Sequence, residues 1–582
     1  MRVFLVGLLA LSFAVRVARA QDTAIVIHPE SSAVRLEGHD LPRIVADEAI
    51  RFYNASNTTR LVGRSRLPAG NAWRGNVAVR NGPALIAGRI EGSLLVINGD
   101  ALLDSGAEIT ADLIVVGGTA TVPGDARVGG EVRQYREPLP YRLAGENLEY
   151  APNLRSRLRN LGVQRTWATA DSRSSLTIAT GGTFNRVEGL PVVFGPLFDW
   201  RVRANARVRI DALGVLRSAG DLSDSRSDLG YMLRSELRLG EIRGVAAGLR
   251  AYDVVAPVED WGLRPAEVGW EAFLFHRDYR DYYLSKGWAG YILVQPERPL
   301  QLGLELRRDW QTSVSARDPW TLFRNDHLWR ENPPIDDGHY VILTGSATWD
   351  TRNDAREPSS GWFIRTSFES GSSDDVTPQA GMPASVRDPI PTDGSYRYNR
   401  LFIDARRYTR VSPSGRVNLR LVAAGKMGGD PLPLQRRLSL GGPDPNVGYG
   451  FRAASCNSFI AAPEFAGTQV AACDRVIAFQ VEYRGHLSLN WSYNPQRGDD
   501  RPAPLTQLWL EGLDLVVFAN AGQAWLVGSG PGRFPSDALP PIGDWLADLG
   551  LGVDWGGFGL YVAKAVTVGE HARLTIRLDH RF

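Results

Sequence analysis

Cysteine, lysine and long apolar runs are the scarce features of this chain. Two cysteines among 582 residues exclude a disulfide framework and a four-cysteine zinc site. Only three lysines occur, Lys286, Lys426 and Lys564, so the positive charge is almost all arginine. Lys+Arg and Asp+Glu number 66 and 64, a net charge of +2. That balance excludes a polyelectrolyte and argues against nucleic acid as a partner, which calls for a basic excess. No run beyond the N-terminus reaches the ~18 apolar residues that a spanning helix needs. The motifs of common enzymes are missing as well. There is no His-Glu-x-x-His, no Gly-x-Ser-x-Gly and no P-loop, and the eight histidines are scattered. No enzyme, cofactor or metal is expected.

What is present begins with an address. Arg2, the apolar stretch Val3 to Val15 and Ala18-Arg19-Ala20 before Gln21 have the layout of a secretory signal peptide over residues 1–20. An exported chain without spanning helices is either soluble or a β-barrel. Residues 21–72 form an N-terminal segment of unclear fold, with a short amphipathic helix possible from Pro42 to Ala55.

Internal repetition follows. Val79-Arg-Asn-Gly-Pro-Ala-Leu-Ile86, Val96-Ile-Asn-Gly-Asp-Ala-Leu-Leu103 and Val115-Val-Gly-Gly-Thr-Ala-Thr-Val122 start 17 and 19 residues apart. A short period with glycine at the corners predicts stacked β-coils. Leu95, Ile97, Ile114 and Val116 are expected to fill the stack. The pattern resembles bactofilin-like β-helical domains and assigns residues 73–133 to a β-solenoid, either a scaffold or a capped spacer. Residues 134–160 read as a connector with a helical turn or two.

From 161 to 582 the pattern changes to short alternating segments between turn clusters. Leu574, Ile576, Leu578, His580 and Phe582 share one face, and Arg573, Thr575, Arg577, Asp579 and Arg581 the other. Ile477, Phe479, Val481 and Tyr483 alternate likewise with Gln480, Glu482 and Arg484. A period of two suits a strand between lipid and a wet lumen. An arginine facing lipid at the midplane would cost ~2–4 kcal/mol, so these arginines must point inward. Fifteen of the 16 Trp lie after residue 160, where interfacial aromatics belong. A soluble β-sandwich would explain the alternation but neither the tryptophans nor the terminal aromatic.

Four motifs in order point to a family. Trp349-Asp-Thr-Arg-Asn…Trp362 is read on its Asp350, Arg352, Asn353, Pro358 and Gly361. Leu440-Gly-Gly-Pro-Asp-Pro-Asn-Val-Gly-Tyr449, Val481-Glu-Tyr-Arg484 and Phe518-Ala-Asn-Ala-Gly-Gln-Ala-Trp525 follow, with Phe582 at the end. Together they resemble the bacterial surface antigen barrels of the BamA/TamA-type outer-membrane insertase superfamily. The resemblance implies an all-β chain: a 16-stranded antiparallel transmembrane β-barrel over 161–582, preceded by the small solenoid where that family carries POTRA domains. It also implies the outer membrane of a Gram-negative-type bacterium, with the N-terminal domain in the periplasm. The implied role is outer-membrane biogenesis or protein translocation. Implied partners are outer-membrane lipid, client outer-membrane or exported proteins, and assembly machinery that reads the strand ending in Phe582. The alternatives are a structural or binding barrel that anchors the solenoid or displays loops, and a diffusion pore.

The resemblance further implies a lumen loop from Gly428 to Asp474, carrying Gly441, Gly442, Val447, Gly448 and Tyr449. In the family a loop arginine latches onto a wall Glu and a wall Asp. Here these positions hold Val447, Glu482 and Asn520, so one cation and one anion are lost together, as the cost of an unpaired buried charge requires. Glu482 is left to pair with Arg484 or Arg452, and the loop is expected to insert through packing of Tyr449 and hydrogen bonds of Asn520. Cys456 and Cys473, in an exported loop, are expected to form a disulfide. Asp350 to Gly361 and Ser412 to Gly415 should be periplasmic turns, and Gly371 to Ser395 an outer loop. Asp336-Asp337 and Asp374-Asp375 read as solvated tips, and His276 to Tyr283 as an interfacial belt.

Overall fold

A computed structural model describes residues 41–150 and 162–581 apart from short interruptions, the longer ones being 220–227, 381–385, 457–469 and 488–512. The leader expected at 1–20 and the terminal Phe582 lie outside the described residues.

The N-terminal part is a stack of short parallel strands in three sheets. Val77 pairs with Leu94 and Leu94 with Leu113, the 17- and 19-residue steps of the repeat. The coils begin at Thr58, ahead of the expected boundary at residue 73. Glycine is needed where coils turn on one another: a Cβ on Gly99 would lie 2.1 Å from the Gly82 carbonyl oxygen. Val77, Val79, Leu94, Val96, Leu113 and Val115 fill the stack with Ile86, Ile90, Leu103 and Ile109. The expected core residues Leu95, Ile97, Ile114 and Val116 instead face outward onto the helix α1 (Arg43–Asn54) and Leu148. Leu94–Ile97 and Leu113–Val116 are buried at every position, and a strand buried on both faces carries no alternation from which to read its phase. Within the expected connector, whose residues 151–160 lie outside the described residues, Tyr141–Ala144 and Asn147–Tyr150 form a hairpin, and Asn54 exchanges side-chain hydrogen bonds with the Leu148 backbone at 2.8 Å each.

The C-terminal part is a transmembrane β-barrel built from one sheet of 18 strands. The two-residue strand Arg533–Phe534 pairs parallel to its neighbour. The first strand, Gly162–Ala168, is hairpinned onto Ser172–Thr180. The remaining sixteen, from Ser172 to Arg577, form the antiparallel meander. The expected sixteen are therefore present, and Gly162–Ala168 is an extra strand laid on the edge of the first of them. Most connections at one end are short (204–205, 298–299, 411–414, 556–557), with 351–360 and 488–512 longer, and those at the other end include the long 258–281, 314–337, 374–395 and 430–474.

Burial along the strands is inside out. In Leu300–Ser313, Leu302, Leu304, Leu306 and Trp310 are exposed, whereas Glu305, Arg307, Asp309 and Gln311 are buried. Phe558–Ala565 alternates in the same way, with Phe558, Leu560 and Val562 outward and Gly559, Tyr561 and Ala563 inward. The outer face thus meets hydrocarbon and the inner face meets polar groups. Exposed Trp200, Trp349, Trp362 and Trp555 ring the short-turn end, and Trp288 and Trp310 lie toward the other, the places where aromatic girdles form.

Candidate functional site: a loop held in the barrel lumen

The segment 430–456 runs inside the barrel. Leu434, Leu438, Leu440, Val447 and Tyr449 are buried, and the loop is pinned to the wall by charge. Asp444 accepts from Arg420 at 3.3 Å and from the Gln480 side chain at 3.2 Å, and lies 3.5 Å from Arg577. Arg420 also pairs with Asp404 at 3.0 Å and donates to the Trp261 carbonyl at 2.7 Å. Arg436 meets Glu369 at 2.7 Å and Arg437 meets Asp474 at 3.2 Å. Each of these charges is removed from water, so its partner must stay within hydrogen-bond reach. Cys456 and Cys473 are joined by a disulfide with Cα atoms 5.1 Å apart. It joins residue 456 to residue 473, two residues before the wall strand Arg475–Leu487.

The residues singled out from the sequence come together, but with different partners. Gly441 and Gly442 adopt positive φ, +105° and +106°, which lets the backbone fold back under Phe451. Val447 packs in a cluster with Val516, Phe518, Tyr561 and Ala563. Gly448 lies so close to the wall that a Cβ would be 2.7 Å from that of Asp548. The Tyr449 hydroxyl donates to the Ala547 carbonyl at 3.1 Å and accepts from the Ala547 N–H at 3.2 Å.

Glu482 accepts from Arg484 at 3.1 Å and from Asn418 at 3.2 Å. It also sits 3.4 Å from Arg581. Arg452 does not reach it. That side chain pairs instead with Asp281 and, at 3.1 Å, with Glu259. Asn520 was expected to hydrogen-bond the loop, but its side-chain partners lie elsewhere. It donates to Asp548 at 2.6 Å and accepts from Arg581 at 2.7 Å. Arg581 and Asp548 thus place a cation and an anion on either side of the Asn520 amide.

A second loop shares the lumen. The connection 258–281 carries Glu259, which accepts from the Ser439 backbone at 2.9 Å and side chain at 2.8 Å, and leads into the helix α2 (Pro265–Phe275). Buried Glu267 on α2 takes both arms of Arg577, at 2.6 and 3.0 Å, and the Leu578 N–H at 3.2 Å. On its other side α2 is tight against the segment after the first meander strand, where a Cβ on Gly269 would be 2.9 Å from Thr183. Among the described residues no ladder joins the last strand to the start of the sheet, and α2 stands against both ends.

Two surface expectations give way to burial. Asp278, Arg280, Asp281, Tyr282 and Tyr283 form no interfacial belt. They are buried around Arg186, which lies 3.2 Å from Asp278 and 2.9 Å from Asp281. The reason is that 258–281 turns inward, so its charges meet loop charges rather than headgroups. Asp336 is no solvated tip either: it is fully buried, pairs with Arg387 and accepts from the Leu434 N–H at 2.8 Å. Asp375 does stay exposed and pairs with His339. Burial pulls the His276 imidazole below its ordinary value, the ring being stacked on Trp329 at 3.7 Å. Sequence reasoning missed Arg420, Asp404, Asp444 and Glu267. The signal for the wall residues was their phase, since each lies on the polar face of an alternating strand; Asp444 and Glu267 lie in loops and had no such signal.

At the short-turn end, Asn353 accepts from the Ser359 N–H at 2.9 Å and the Ser360 N–H at 3.0 Å, closing the 351–360 turn. Arg410 reaches from the neighbouring strand end to Ser359 at 2.7 Å and to solenoid Asp100 at 2.8 Å. The solenoid is therefore tied to this end of the barrel.

Residues 275–498 match the model of the Omp85 superfamily domain. That stretch holds the 351–360 turn, the lumen loop and Glu482. Among solved structures the chain is similar to BamA from Haemophilus ducreyi lacking POTRA domains 1–3, at 9% identity over 72% of this chain and 74% of that one, with a TM-score of 0.39. It is also similar to CdiB from Escherichia coli, at 12% identity over 78% of this chain and 65% of that one (TM-score 0.29). For CdiB from Acinetobacter baumannii the identity is 9% over 74% and 69%, with a TM-score of 0.28. No curated protein matches the chain. The chain thus carries, over residues 275–498 of its barrel, a match to the Omp85 superfamily domain.

Proposed function

We propose that the protein works in outer-membrane biogenesis or in protein translocation across that membrane, with client outer-membrane or exported proteins as its partners. The observation that carries this reading is the combination of a filled lumen with a sheet closed by side chains. Asp444, Arg420 and Arg577 hold the loop across the interior, and α2 rather than a described strand ladder meets the end of the last strand. A lumen filled by an anchored loop does not offer the open aqueous channel of a diffusion pore. The short-turn end and the solenoid then face the periplasm, and the long loops face outward. The C-terminal strand is the signal by which assembly machinery receives the protein itself.

Depletion of the protein in its own host tests the reading: other barrels should be lost from the outer membrane, or a specific exported protein should accumulate in the periplasm. Unchanged outer-membrane and secreted protein profiles would reject it.

The anchor reading has one observation in its favour, the Arg410–Asp100 tie between barrel and solenoid. Under that reading, deletion of residues 41–135 disturbs envelope shape while the profile of other barrels is unaltered.

A further inference from the structure

Arg581 sits in the lumen, and its contacts assign it a task that is independent of the function proposed above. Arg581 lies beyond the last strand, Arg573–Arg577, and its side chain is almost wholly buried. Its guanidinium stacks on Phe518 at 3.6 Å, donates to Asn520 Oδ1 at 2.7 Å and lies 3.4 Å from Glu482 Oε2. Asn520 has a single side-chain amide, and it is oriented by these two demands: its oxygen takes Arg581 and its Nδ2 donates to Asp548 Oδ1 at 2.6 Å. Asp548 in turn stands against the loop backbone at Gly448. Phe518, the ring under Arg581, shares a cluster with loop residue Val447. Two contact paths therefore lead from one guanidinium to one loop, a polar path through Asn520 and Asp548 and an apolar path through Phe518.

We propose that Arg581 is the positioning residue of the lumen loop: the C-terminal segment acts as an internal brace that seats residues 446–449 against the wall. The physical argument is one of desolvated charge. A buried guanidinium with a carboxylate, an amide and a ring face around it is fixed in place, because any displacement would leave Glu482 with fewer partners in a dry site. A flat, forked cation also suits this socket better than an ammonium would, since it can stack and donate in plane at once. The loop gains a rigid floor, and movement of the chain end and movement of the loop become one event.

The test uses the full-length protein with Val447→Cys as reporter. The native cysteines are paired with each other, and the buried position should react slowly with a water-soluble maleimide. In this background Arg581→Gln should raise the labelling rate about tenfold, the effect of losing one charge-assisted hydrogen bond from a local opening equilibrium. Asn520→Leu, which cuts the polar path in the middle, should raise it similarly. Arg484→Gln removes the other arginine on Glu482 but leaves both paths to the loop intact, and should leave the rate within about twofold. Folding of each variant is checked by heat-modifiable mobility. If Arg581→Gln does not fold, Arg581→Lys is read in its place, because it keeps the charge and forfeits the fork and the ring stack; the same rise is expected. A background rate in the folded Arg581 variant, or an equal rise with Arg484→Gln, overturns the proposal.

Discussion

The solenoid and the barrel are both sheet structures, and they are built in opposite senses. In the solenoid, Val77, Val96 and Val115 are interior, and charge lies outside in ladders such as Arg89 with Glu108 at 3.6 Å and Arg74 with Glu91 at 3.7 Å. In the barrel, Leu302, Leu304 and Leu306 are exterior, and Arg307, Asp309 and Asp404 are interior. One ribosome product with one amino-acid alphabet thus contains two phase conventions. What decides between them is the medium on the outer face, water for the first and hydrocarbon for the second. Stability is accordingly carried by different forces, apolar burial in the solenoid and satisfied charge in the barrel interior.

That contrast can be broken most severely from within the lumen. Arg420→Ala strips Asp404 and Asp444 of a shared partner and should destabilise the barrel by about 3–5 kcal/mol, read as a lower urea midpoint for the loss of heat-modifiable mobility in vesicles. A smaller effect separates the two outer faces. Leu304→Arg, on an exposed barrel position, should cost ~2–4 kcal/mol if that position lies near the bilayer midplane. Val62→Arg, on an exposed solenoid position, should change stability by no more than about 0.5 kcal/mol. Equal costs would mean that the barrel face is not in lipid.

The smallest effect concerns a loop outside the spanning strands. Burial lowers the His276 pKa, and a nearby Asp318 opposes this only in part. A base whose pKa is depressed by folding favours the folded state when neutral. The contribution is therefore present above the unfolded value near 6.5 and is lost as pH falls through the lower folded value. An NMR titration should place the His276 midpoint below that of a model histidine; a midpoint above it would contradict the stacking on Trp329.

How much of this could be read from the sequence follows from the same contrast. Alternation over Arg475–Leu487 gave the inward face of Gln480, Glu482 and Arg484 correctly, because one face of that strand is lipid-exposed and must be apolar. Leu94–Ile97 gave no phase, because both of its faces are covered. The loop motif located Gly441, Gly442, Gly448 and Tyr449, where backbone geometry restricts the residue type. Partners were less legible. Arg581 and Asn520 are 61 residues apart, and Glu267 and Arg577 are 310 apart. Only closure of the sheet brings such groups together, and nothing local announces it. The loop 258–281 misled for the same reason: mixed charge and aromatics suit an interface and a buried ionic cluster equally well.

The central claim is that water-excluding lipid lies on one side of these strands and a packed polar interior on the other. Its most direct measurement is a cysteine–fluorophore scan along Leu300–Ser313 in vesicles containing brominated lipid. Quenching should follow a period of two, strong at Leu302, Leu304 and Leu306 and weak at Gly303, Glu305 and Arg307. Quenching that is uniform along the strand, or absent from the leucines, would contradict the account.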